Sequence, residues 1–72
     1  MHQFDRWRVG YDLDNRLGFV ELWPVGVPST AAPFRLAPLN PDDFTACCGV
    51  LNAARVAGGR PSWDPASRSL FF

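Results

Sequence analysis

Seventy-two residues, 47% of them hydrophobic and 14% aromatic, carry a formal net charge of zero. This length admits one domain and no linker to a second, and the neutral balance argues against a general affinity for nucleic acid or an anionic membrane. A single histidine, His2, and two adjacent cysteines, Cys47 and Cys48, leave room for neither a metal-ligand set nor a disulfide framework, and no cofactor-binding motif is present.

A core this small yields no more than about 3–5 kcal/mol of net stability. Trp7, Trp23, Trp63, Tyr11 and six phenylalanines cannot all fit inside so small a body. Some rings must reach the surface, and self-association as a homodimer is the expectation. The unpaired cysteines suit a reducing compartment. Met1–Arg6 lack the charged start and apolar core of a signal peptide, and no apolar run reaches the length of a membrane span. A cytoplasmic protein with no membrane partner is expected. Lysine is absent, so seven arginines must make every cationic side-chain contact.

From Arg6 to Tyr11 the residues alternate, with Trp7, Val9 and Tyr11 on one face and Arg6 and Arg8 on the other. That pattern predicts a strand with one wet side. Asp12–Arg16 forms a tight polar turn, in which aspartate and asparagine side chains bond to their own backbone. Leu17–Trp23 is a second strand, with Phe19, Glu21 and Trp23 facing one way and Val20 and Leu22 the other. Pro24 ends it for want of a ladder donor. The two strands should pair as an antiparallel hairpin. Proline and glycine forbid regular structure from Pro24 to Pro33. Phe34–Ala37 is then a short third strand, closed by Pro38.

Leu39 to Gly59 carries the signals of one helix. Leu39 and Phe44 occupy the positions of a hydrophobic staple around an Asn40 cap, and Pro41 takes the first helical position. Asp42 and Asp43 face the positive end of the dipole. Phe44, Cys47, Cys48, Leu51 and Ala54 make the apolar side, opposite Asp42, Thr45, Gly49 and Asn52. Gly58 closes the helix, and Gly59 and Pro61 prevent a restart. Gly49 in mid-helix suggests close approach of another backbone. The tail reads as a hairpin, Pro61–Trp63 and Ser69–Phe72 around a type I turn at Asp64–Ser67. The sum is a single α+β domain over residues 1–72, one α-helix packed on a small, mainly antiparallel sheet in the order β-β-β-α-β-β.

Chemistry is hard to place on this frame. Cys47 and Cys48 lie on or beside the apolar helix face without a nearby base, and act as small core fillers rather than nucleophiles. Asp12, Asp14 and Asn15 lack the later glycine and glutamate of a calcium loop, and turn chemistry accounts for them. Gly58 and Gly59 follow a helix, whereas phosphate loops precede one. Arg6, Trp7, Arg8 and Tyr11 interleave cations and rings as single-strand nucleic-acid sites do, but alternation sends the two kinds to opposite faces. Trp23 and Phe34 flank the proline-containing loop as rings at a partner site would, and Phe71 and Phe72 are odd choices for a free end in water.

The leading expectation is therefore a small non-enzymatic interaction protein, a homodimer that binds a protein partner through an aromatic-rich surface including Trp23, Phe34, Phe71 and Phe72. Small accessory proteins of bacterial and phage genomes commonly block or bridge a larger partner in this way. The alternative is a nucleic-acid-binding regulator that uses Arg6, Arg8 and Arg16, with Arg60 and Arg68 in support.

Overall fold

The structure, a computed structural model, describes residues 2–72. Strands β1 (His2–Asp12), β2 (Leu17–Pro24) and β3 (Phe34–Leu39) precede helix α1 (Pro41–Ala57), and strands β4 (Ser62–Asp64) and β5 (Ser69–Phe71) follow it. They form one antiparallel sheet in the order β3-β2-β1-β4-β5, covered on one face by the helix. This is the expected α+β architecture. Among the described residues no helix is long and apolar enough to cross a membrane.

β1 starts at His2, four residues before the alternation begins. Its opening pairs with β4, His2 opposite Trp63 and Gln3 opposite Ser62, and the Phe4 N–H donates to the Pro61 carbonyl at 3.0 Å. A register shift between Phe4 and Arg6 resets the alternation. Phe4 consequently joins the core at 1% exposure, and Trp7 packs against that core although it lies three positions on. β3 runs through Pro38 instead of stopping before it, because an edge strand tolerates a missing donor on its outer side.

The helix is built as its signals require. Asn40 accepts from the Asp43 N–H at 2.8 Å, Pro41 opens the first turn, and Asp42 and Asp43 follow. At the other end Gly58 adopts φ +67°, and the Gly59 N–H reaches the Ala54 carbonyl at 2.8 Å in a Schellman closure. Leu51 and Ala54 are buried against the sheet, whereas Cys47 and Cys48 are half-buried at its margin. Gly49 has nothing within 4 Å of the position of a Cβ, so no backbone approaches it within this chain.

Val20 and Leu22 of β2 are fully buried beneath α1, which packs over β2, β3 and β5. The sheet curls. Phe34 of β3 stacks on Phe4 with ring centroids 5.7 Å apart and meets Trp63 of β4 at 5.3 Å. The two ends of the strand order thus approach each other around the core.

Candidate interaction surface

Three features lie outside the core: the sheet face turned away from the helix, the outer edge of β1, and a cleft between β3, α1 and β5.

On the open face the side chains of Arg8, Glu21 and Arg35 stand in one cross-strand row, since Arg8 pairs with Glu21 and Glu21 with Arg35. Arg8 donates to Glu21 Oε1, and Arg35 donates to Oε2 at 2.8 Å. Both guanidinium groups also lie over the Phe19 ring, at 5.8 and 4.5 Å from its centroid. The hydrogen bond from Arg8, aided by Arg35 and opposed by desolvation, holds the Glu21 carboxyl below its ordinary range. Cations and rings therefore do share a face. The rings are Phe19 and Trp23 rather than Trp7 and Tyr11, which sit on the helix side, where Tyr11 packs on Phe44 at 5.1 Å.

The loop from 25 to 33 folds back over this face. Trp23 Nε1 donates to the Ala31 carbonyl at 2.9 Å, and Arg6 donates to the Ser29 hydroxyl at 2.8 Å and to the Val27 and Pro24 carbonyls. Asp5 accepts from Arg6 Nε as well. Arg6 is thus a brace for the loop. Arg16 lies in the β1–β2 turn at φ +54°, Arg60 is exposed after the helix, and Arg68 lines the cleft on the other side of the core. Of the named arginines only Arg6 and Arg8 share a surface, and Arg35 joins them. Arg35 escaped the sequence reading because its importance depends on β3 lying beside β2.

The four named aromatic residues do not form one patch. Trp23 is on the open face, and Phe34 is on the inner one with Phe4 and Trp63. Phe71 is part of β5 and 38% exposed, and Phe72, 56% exposed, lays its ring against Gly59.

β3 and β5 are the edge strands of the sheet, and β1, though paired on both sides, leaves most of its outer side open. β4 pairs with it at His2 and Gln3, the Phe4 N–H goes to Pro61, and among the described residues no backbone partner meets the outer side from Asp5 to Asp12. Because α1 lies over β2, β3 and β5, the helix side of this stretch is also partly bare: Val9 is 43% and Tyr11 36% exposed. At its end Asp12 caps the turn, accepting from the Asp14 N–H at 3.0 Å and from Asn15 Nδ2 at 2.7 Å, as the turn reading requires.

The cleft has a volume of about 250 Å³ and is walled by Leu36, Leu39, Cys47, Val50, Trp63 and Leu70. Burial pushes the Cys47 thiol above its ordinary value near 9.0, and neighbouring Cys48 and Asp43 add to the shift. Burial also raises Cys48. Neither environment favours a thiolate. No protein-family model matches the chain, and neither does any curated protein or solved structure.

Proposed function

We propose that this chain is a non-enzymatic protein-interaction module that joins its sheet to another chain, with a homodimer as its simplest assembly. The observation that carries the reading is the outer side of β1, which has no backbone partner among the described residues from Asp5 to Asp12 and lies beside the exposed Val9 and Tyr11. An unpaired strand edge is a row of unmet donors and acceptors, and proteins normally cover or blunt it. Adding a strand there satisfies the backbone and covers the apolar side chains in one step. The raised thiol pKa values of Cys47 and Cys48 support a role without thiolate catalysis.

The test compares the immobilised wild-type chain with a Val9→Lys chain of equal folded content for retention of partner polypeptides, further copies included. Retention confined to the wild type supports the reading. Full retention by Val9→Lys overturns it.

A second reading follows from Phe19 lying between Arg8 and Arg35 on the open face, an arrangement suited to stacking a base while neutralising phosphate. Glu21 between the same two arginines works against it by cancelling charge. A salt titration of single-stranded oligonucleotide binding decides the matter, and no binding at low salt ends this reading.

A further inference from the structure

We infer that two copies of this chain join through β1, antiparallel and centred on Val9, so that two five-stranded sheets become one continuous sheet. The inference rests on the interaction reading and names its partner as a second copy.

The edge itself limits the ways this can happen. Phe4 already bonds to Pro61, so an added strand can begin only at Asp5, and β1 ends at Asp12. A two-fold axis normal to the sheet must place like-facing residues opposite each other, because side chains alternate between the faces. The axis therefore passes through a residue and not between two.

Centring on Arg8 would set two guanidinium groups side by side and bring Asp12 of the second copy against Phe4, where Pro61 already stands. Centring on Gly10 would pair only Arg8 to Asp12 and leave Arg6 and Trp7 facing the turn. Centring on Val9 aligns the whole stretch from Arg6 to Asp12. On the helix side Val9 then meets Val9, and each Trp7 lies across from Tyr11 of the other copy. On the open side each Arg6 faces Asp12 and each Arg8 faces Gly10. Arg6 and Asp12 keep their own partners in the loop and the turn, so this register brings no like charges together and its new contacts are the apolar ones, Val9 on Val9 and Trp7 beside Tyr11.

The self-matching of the apolar positions is what points to a second copy as the occupant. Read outward from Val9, the stretch carries Arg8 and Gly10, then Trp7 and Tyr11, then Arg6 and Asp12. An isologous interface requires each residue to meet a compatible one at the two-fold related position, and here Val9 meets Val9, Trp7 meets Tyr11, and Arg8 meets Gly10 without a clash. The two edge strands of the sheet offer less: β3 is six residues long, follows Pro33 and contains Pro38, and β5 is three residues long. A proline-bearing edge is a poor template for pairing.

Sedimentation equilibrium in the high micromolar range tests the inference. The wild type is expected at twice the 8.0 kDa chain mass, and Val9→Lys, which sets two ammonium groups together at the axis, at the monomer mass with an unchanged circular dichroism spectrum. Register is read by cross-linking in a Cys47→Ser, Cys48→Ser background. Val9→Cys should form an intermolecular disulfide under mild oxidation. Arg8→Cys should not, because its two copies lie offset by two positions and beyond disulfide reach. A monomeric wild type, a dimer that Val9→Lys leaves intact, or equal cross-linking of both cysteine variants overturns the inference. A monomeric wild type that still captures another polypeptide through Val9 overturns the second copy as partner while the broader interaction reading stands.

Discussion

The ring of Phe19 lies over Gly10, its cross-strand neighbour, so closely that a Cβ on Gly10 would come within 2.2 Å of the ring. Phe44 covers Gly18 in the same manner on the helix side, at 2.3 Å. Each glycine acts as the floor on which an aromatic ring rests.

The two glycines should respond differently to alanine. In Gly10→Ala the new methyl meets the far end of a half-exposed ring that can swing, and a loss of about 1 kcal/mol is expected. In Gly18→Ala it meets Phe44 near its attachment, where the helix holds the ring, and the loss should reach about 2–3 kcal/mol. Gly49→Ala, in open space on the helix, should instead stabilise by about 0.5–1 kcal/mol. Urea denaturation of the three variants checks the ranking.

Glu21 predicts an acid limb in the stability profile. Its carboxyl sits below the ordinary value of 4.5, so the folded chain binds this proton less readily than the unfolded chain does. The stabilisation is whole above that ordinary value and is lost as pH falls through the lower folded value. Asp12 and Asp64, lowered chiefly by hydrogen bonds from Asn15 and Ser67 in their turns, act in the same direction. Glu21→Gln should therefore be less stable than wild type at neutral pH, with the gap closing as acid is added. A gap that persists in acid would contradict this account.

The helix cap and the core can be separated by magnitude. Asn40→Ala removes the bond to the Asp43 N–H and should cost about 1 kcal/mol. Leu51→Ala empties a site 3% exposed and should cost about 2–5 kcal/mol. That loss is comparable to the whole stability of a domain this size, about 3–5 kcal/mol. Thermal melts should show Asn40→Ala folded with a lowered midpoint and Leu51→Ala largely unfolded.

The thiols should be sluggish. Half-buried, with pKa values pushed upward, Cys47 and Cys48 should react with a thiol reagent at neutral pH more slowly than a thiol in the unfolded chain. Cys47, which has Cys48 and Asp43 beside it, should be the slower of the two. Stopped-flow labelling in native and denaturing buffer measures the ratio, and a native rate above the denatured one would reveal an activated cysteine.

Local rules made much of this fold legible. Asn40, Pro41 and Gly58 mark the helix ends through bonds that close within a few residues, and Asp12 and Asp64 mark their turns in the same way. The alternation put Trp7, Val9 and Tyr11 opposite Arg6 and Arg8, and Phe19, Glu21 and Trp23 opposite Val20 and Leu22, as the register and contacts have them. Where pairing partners are distant in sequence, the reading stopped. The first residues of β1 are strand only because β4 lies beside them, and the bulge after Phe4 hides their alternation. Helix periodicity placed the cysteines on the apolar side, yet α1 meets a curled sheet and leaves both half-covered, Cys47 at the cleft. Arg35 gains its partners from the neighbouring strand, so its place on the open face depended on strand order.

The chain by itself determined which segments are strand, helix and turn, because capping, alternation and proline act over a few neighbouring residues. It also placed Trp7, Val9 and Tyr11 together on one face of the first strand. Only the tertiary structure decided that this stretch has an open edge. That outcome depends on where β4 stops pairing and on which strands the helix covers, and both are set by long-range packing.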